Sequence, residues 1–237
     1  MTDTTSKAAG PKWELDAKDD IKAALRRFAK PLADLVNRDA NEGDTRLLVT
    51  DFLCEALGYD KYEDLTTEFQ VRGEFADYGI RVDKQLLAFV EVKRAAQDLN
   101  ARHLRQVETY AVKEGLEWLL LTNGRVWQAY HVIAGTGQQV STTLVLEVDL
   151  LGDEPPSKKI ANLFHIHRAA LKRSTISDLW KQRAATAPEA LAKVIQSAPV
   201  LDAIRKEVRR RSGFNPETKD LEAAVRAHVI RPDLLLP

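Results

Sequence analysis

The sequence predicts an α/β chain, a mixed α+β sheet with flanking helices, that gives way to a purely helical C-terminal segment. Three observations carry this expectation. Apolar residues recur every three or four positions between 13 and 57, as one face of a helix requires. Between 65 and 150 the spacing falls to two over several short runs, the pattern of half-buried strands. After Gly152-Asp-Glu-Pro-Pro-Ser157 that strand pattern does not return. These breaks divide the 237 residues into a polar tail (1–12), a mixed domain (13–152) and a helical region (157–237).

Each element follows from its local pattern. In residues 13–36, Ile21, Leu25, Phe28, Leu32 and Leu35 line one helix face, with Pro31 an expected kink. Residues 42–57 form a second helix that stops at Gly58, a residue suited to the left-handed backbone that closes helices. Its apolar side holds Val49, Phe52, Leu53, Ala56 and Leu57. Counting back by threes and fours through 53, 49 and 46 brings Glu42 onto the same inward face. Asp44 and Thr45 are alternative caps for this helix, and Glu42 also suits its positive N-terminus.

Residues 65–72 read as a strand ended by Gly73, and residues 75–94 as a hairpin turning at Asp83-Lys84-Gln85. Residues 99–113 return to helical spacing, with Leu104, Val107 and Ala111 on the packing side. Gln106 and Tyr110, four apart, share a face of that helix. A strand at 117–122 and its partner at 125–133 are joined by Asn123-Gly124, a strong tight-turn signal. Gly135-Thr-Gly137 is a loop, and 142–150 a further strand. Five helices are expected beyond it, at 158–171, 177–183, 188–196, 199–211 and 218–229.

The hairpin carries the chemistry. Period two puts Ala76, Tyr78, Ile80 and Val82 on one face of its first strand and Asp77 on the other. On the second strand Ala88, Val90 and Val92 oppose Glu91 and Lys93. One Asp, one Glu and one Lys thus meet on one sheet face at the end of an apolar run. Two carboxylates so placed suit a hard divalent cation such as Mg²⁺, which prefers oxygen ligands and retains several waters. A neighbouring ammonium holds or deprotonates a water, or offsets charge on a phosphate. On these three residues alone, a solvated strand face of alternating charge is the plainer reading.

Their company adds to them. Asp77 followed after thirteen residues by Glu91-Val-Lys93 resembles the PD-(D/E)xK nuclease signature. With Asn41-Glu-Gly-Asp-Thr-Arg46 upstream and Gln106-x-x-x-Tyr110 downstream, residues 38–132 resemble the N-terminal nuclease domain of type I restriction enzyme R subunits. Ala76 stands where the signature's proline falls, a position that shapes backbone rather than chemistry. The resemblance implies a restriction-endonuclease-like core and a Mg²⁺-dependent DNA endonuclease of the restriction or defence type, with Mn²⁺ able to substitute. It implies Asp77, Glu91 and Lys93 as catalytic residues, Gln106 and Tyr110 as their helix-borne companions, and Glu42, Asp77 and Glu91 as metal ligands. No G-x-x-x-x-G-K-[ST] occurs in these residues, so a stand-alone nuclease without the motor domain is expected. A catalytically silent DNA-binding or assembly module, and a metal-dependent RNase, remain alternatives.

Composition bounds partners and place. At 44% hydrophobic and 30% charged residues, the chain reads as a cytoplasmic protein with no membrane segment or signal peptide. The single Cys54 excludes an internal disulfide. Net charge is zero, but residues 158–237 hold 16 Lys/Arg against 8 Asp/Glu, and residues 1–157 hold 19 against 27. That asymmetry suits a basic DNA-facing surface on an acidic body, or equally a set of solvated helix faces. Arg209-Arg-Arg211 is the densest basic cluster. His165 and His167 lack the spacing of a zinc pair and read as surface or packing residues. A homodimer or a restriction-system partner engaged through the C-terminal helices completes the expectation.

Overall fold

The computed structural model describes residues 10–71, 74–134 and 140–234, so the expected Gly73 turn and the Gly135–Gly137 loop lie outside the described residues. Two helices come first. α1 (Lys12–Asn37) buries Ala17, Ile21, Ala24, Phe28, Leu32 and Leu35, and Pro31 lies inside it without ending it. α2 (Glu42–Glu55) starts under Asn41, whose side chain accepts the Asp44 N–H at 2.8 Å. Asn41 therefore takes the capping role open to Asp44 or Thr45 in the sequence. Gly58 follows with φ +71, and a Cβ there would stand 2.8 Å from His167 Nε2, so both backbone and space require glycine.

Six strands form one mixed sheet in chain order: β1 (Leu65–Val71), β2 (Glu74–Val82), β3 (Gln85–Val92), β4 (Trp118–Thr122), β5 (Val126–Ala134) and β6 (Val140–Asp149). Neighbours are antiparallel except β3 and β4, which run parallel. A parallel pair needs a crossover, and α3 (Ala101–Glu114) supplies it. On one face, Phe52 packs between Phe28 and Trp127, with ring centroids 5.4 and 5.1 Å apart. On the other, Phe89, Leu119 and Val132 meet Val107, Tyr110 and Ala111 of α3. The β2–β3 turn consists of Asp83 and Lys84, both at positive φ (+52 and +70), as a two-residue primed turn demands. Gln85, expected in the turn, opens β3.

The strict alternation expected along β2 fails at Asp77. Tyr78 turns its hydroxyl to Thr50 and the Arg46 carbonyl on α2, at 2.9 and 3.0 Å. Ala76, expected on the same face, packs with Phe89 and Tyr110 on the α3 side, as does its ladder partner Phe69. The cause lies across the ladder. Glu68, between the pairs Thr67↔Tyr78 and Phe69↔Ala76, has φ +49, and this left-handed residue reverses the side that both strands present.

The helical stretch expected at 158–171 is two helices, α4 (Pro156–Phe164) and α5 (Arg168–Leu171). His167 breaks it by taking extended backbone and capping α5, its Nδ1 accepting the Ala169 N–H at 3.1 Å. The break lets Arg168 donate its N–H to the Leu57 carbonyl and clamp buried Asp64 with two bonds of 2.6 and 3.2 Å. Tyr59 adds a 2.7 Å bond to the Ile166 carbonyl, and Trp13 stacks on Phe164. The composition break at 152–157 and the division into compact units therefore do not coincide. The units divide between Leu179 and Trp180, within α6 (Thr175–Ala185). In the second unit, α7 (Pro188–Ile195), α8 (Ala198–Ser212), α9 (Thr218–His228) and a 3₁₀ turn at Pro232–Leu234 gather around Ala192, Leu201, Val225 and Ile230. Arg210 and Arg211 of the basic cluster both close on Glu207. Among the described residues no helix is long and apolar enough to cross a membrane.

Candidate metal-dependent active site

The site forms where β3 ends beside β2 and the first turn of α2. Glu91 is the penultimate residue of β3, and Lys93 follows directly, its backbone N–H held by the Thr122 carbonyl at 2.8 Å. Asp77 is locked across the ladder, because Val92 N–H donates to its Oδ2 at 2.7 Å. Lys93 Nζ reaches Glu91 Oε1 at 2.5 Å, while Glu91 Oε2 is buried with no hydrogen-bond partner among the described residues. Only 3% of Glu91 is exposed, so this unpaired oxygen is shielded from bulk solvent. A buried carboxylate oxygen left bare in this way is energetically costly, and it marks a place prepared for a donor or a cation.

Charge and burial set the titration of the cluster. Burial first, and then the Asp77 charge, push the Glu91 carboxyl up to about 6, against the pull of Lys93. Burial also raises Asp77 above the usual carboxylate range, although the Val92 N–H and Arg46 oppose it. Burial disfavours the Lys93 ammonium, but its bond to Glu91 and the Glu91, Glu42 and Asp77 charges raise it above the ordinary lysine value. The side chain at 93 is therefore a cation and a donor. Glu42 is half-buried at the start of α2, and its charge is felt at Asp77, Glu91 and Lys93 alike.

The α3 companions stand differently. Gln106 lies in α3, but its side chain falls outside the described residues. Tyr110 is 2% exposed and packed with Phe89, Val107 and Leu119 in the apolar cluster beside β3. Period and helix face put it on the core side because it shares a stripe with Val107 and Ala111.

Three further residues take part that the motif reading passes over. Arg46 Nε stands 3.2 Å from Asp77 Oδ1, pairing the other carboxylate with a cation of its own. Its position one turn beyond Glu42, on the same inward face, was a usable signal. Thr45, fully buried, accepts the Ala95 N–H at 3.1 Å and donates to the Asn41 carbonyl at 3.1 Å, fixing the backbone just after Lys93. His103 sits in the first turn of α3, its Nδ1 accepting the Asn100 N–H at 3.4 Å and its Nε2 3.0 Å from the Gln97 amide. Burial and then Lys93 lower its pKa, so it is a neutral ring at the edge of the cluster.

The donor set fits a hard divalent cation. Half-buried Asp77 and buried Glu91 offer oxygens only, and the Asp77 charge adds to the cost of ionising Glu91, which a dication would relieve. Among the described residues no three His, Cys, Asp or Glu side chains are gathered to hold a metal by themselves. Mg²⁺ does not require that, since it binds through one or two carboxylates and keeps its waters.

Comparison with known proteins agrees with this segment. Residues 41–143 match the family model for the type I restriction enzyme R protein N terminus (HSDR_N), as the sequence resemblance anticipated. The matched segment is less than half of the chain. No curated protein and no solved structure gives a significant match.

Proposed function

We propose that this chain is a Mg²⁺-dependent endonuclease hydrolysing DNA phosphodiester bonds, of the restriction type. The observation that carries the reading is half-buried Asp77 beside buried Glu91, with an orphaned Glu91 Oε2 and the Lys93 ammonium alongside. Asp77 and Glu91 would hold the cation, with Glu42 adding negative charge from the end of α2. The cation supplies Lewis acidity at the phosphoryl oxygen when bound. Lys93, kept protonated by its carboxylate neighbours, orients a water by donation and offsets charge on the phosphate rather than abstracting a proton. Thr45 and the Thr122 carbonyl keep the backbone on either side of Lys93 in place. DNA as substrate is supported by the family of residues 41–143, and the basic balance of residues 158–237 suits a phosphate backbone.

One observation favours a second reading, a catalytically silent module. Each carboxylate already has a cationic partner, Lys93 for Glu91 and Arg46 for Asp77. Cleavage of plasmid and linear DNA by the purified chain with Mg²⁺ or Mn²⁺, beside Asp77→Asn and Lys93→Ala, separates the two. The nuclease reading expects cutting by wild type and a loss of ~100-fold or more in both folded variants. DNA binding without cutting under either metal, unchanged in the variants, would instead establish the silent module.

A further inference from the structure

Among the described residues, Arg46 is the cation paired with the cluster that belongs to neither the hairpin nor the helix after it. Its Nε lies 3.2 Å from Asp77 Oδ1 and is buried, yet it is not aligned for a hydrogen bond. Its Nη1 lies 3.9 Å from Glu68 Oε1, on a side chain that is 73% exposed. The guanidinium thus stands between an inner and an outer carboxylate and is fully captured by neither. The backbone beneath it is fixed, because the Arg46 carbonyl accepts from Tyr78 Oη at 3.0 Å and from Thr50 Oγ1 at 2.8 Å. Only the side chain is left to change partners. Glu68 is the residue with φ +49 opposite Asp77, and a non-glycine held in left-handed backbone within a strand is an outlier that invites a functional account.

We infer that Arg46 is a displaceable counter-charge for the candidate metal site. This rests on the reading that Asp77 and Glu91 hold a divalent cation. Without the cation, Arg46 offsets the half-buried Asp77 charge. Asp77 Oδ2 already accepts the Val92 N–H, so Oδ1, where the guanidinium stands, is the oxygen more open to an arriving cation. A cation bound about 2.1 Å from that oxygen repels a positive group so close by, and the arginine moves outward. Glu68 is placed to receive it. Lys93 cannot serve in the same way, since its ammonium is tied to Glu91. Arg46 therefore lowers the affinity of the site for metal while keeping the metal-free site intact, and Glu68 limits that loss.

Calorimetric titration of the full chain with Mn²⁺ tests this, using wild type, Arg46→Met, Arg46→Lys and Glu68→Gln. Removing a competitor in a partly exposed ion pair should tighten Mn²⁺ binding about fivefold in Arg46→Met, and Arg46→Lys should stay near wild type. Glu68→Gln, an exposed change that leaves the fold untouched, should weaken binding about twofold because the released guanidinium loses its acceptor. Equal or weaker binding by a folded Arg46→Met overturns the inference. Should circular dichroism show Arg46→Met unfolded, Glu68→Gln decides: weaker binding supports the inference and unchanged binding overturns it. If neither wild type nor the variants bind Mn²⁺, the divalent-cation reading itself falls, and this inference falls with it.

Discussion

Replacing Glu91 by Gln should change how stability depends on pH, and in a direction opposite to that of an ordinary salt-bridged carboxylate. In the folded chain Glu91 titrates at about 6 instead of 4.5, because burial and the Asp77 charge penalise its ionised form. An acid whose folded pKa is raised binds its proton more tightly when folded. Its contribution is fully present below the unfolded value and is lost as pH rises through the folded one. The gap between 4.5 and about 6 corresponds to about 2 kcal/mol. Wild type should therefore lose about 2 kcal/mol relative to Glu91→Gln between about pH 4 and about pH 7.5, an excess fall in melting temperature of ~4–8 °C.

The slope is the quantity to read, not the absolute difference at one pH. Gln also removes the charge that stabilises the Lys93 ammonium, but that lysine titrates far above this window, so its effect cancels in the slope. The step belongs to the Asp77–Glu91 pair as much as to Glu91, since the two charges repel. Urea unfolding of both proteins in chelator, across that pH range, measures it. A pH-independent difference, or one that favours wild type as pH rises, would refute the claim that Glu91 is a desolvated and electrostatically opposed carboxylate. Saturating Mg²⁺ should reverse the sign in wild type alone, because a cation binds the ionised form and adds stability by mass action above the folded pKa.

Two other changes probe the support of the site and of the fold. Thr45→Val removes the acceptor of the buried Ala95 N–H, so equilibrium unfolding should show a loss of about 1–2 kcal/mol, and hydrogen exchange should accelerate at Ala95. Unchanged exchange there would show that Thr45 does not hold this backbone. Arg168→Met leaves Asp64 buried without its bidentate partner; with Arg168 about one-third exposed, the cost should be about 2–3 kcal/mol in urea unfolding. An unaltered midpoint would mean that α5 is not secured to the hairpin side by this pair.

How far the sequence leads depends on which physical rule governs each residue. Strands with one buried face, such as 126–134, are legible because period two and burial agree, and the Asn123-Gly124 turn marks their register. Asp77, Glu91 and Lys93 are brought together as the hairpin pattern anticipates, through a ladder that pins Asp77 to Val92. What alternation cannot show is a left-handed residue within a strand. Glu68 carries no glycine or Asn signature, and it sends Ala76 to the face opposite the expected one. The break between α4 and α5 is hidden for a related reason. His167 looks like any helix-interior histidine until Asp64 and the Leu57 carbonyl, more than a hundred residues earlier, reward the turn.

The same reasoning explains why the motif residues were visible and their partners were not. Asp77, Glu91 and Lys93 lie on one hairpin, so local spacing brings them to one end of it, although alternation along β2 breaks at Asp77. Arg46, Thr45 and Glu42 reach them from α2, and that meeting depends on tertiary packing of an N-terminal turn against the end of β3. A helical count does put 42 and 46 on one inward stripe, but it cannot say which charges they will face. Once Tyr78 ties its hydroxyl to the Arg46 carbonyl, the reach of both α2 side chains is set from the hairpin itself. The apolar packing that places β3 beneath α2 is thus also what delivers a cation to Asp77, which is why the core and the charge balance of the site cannot be altered independently.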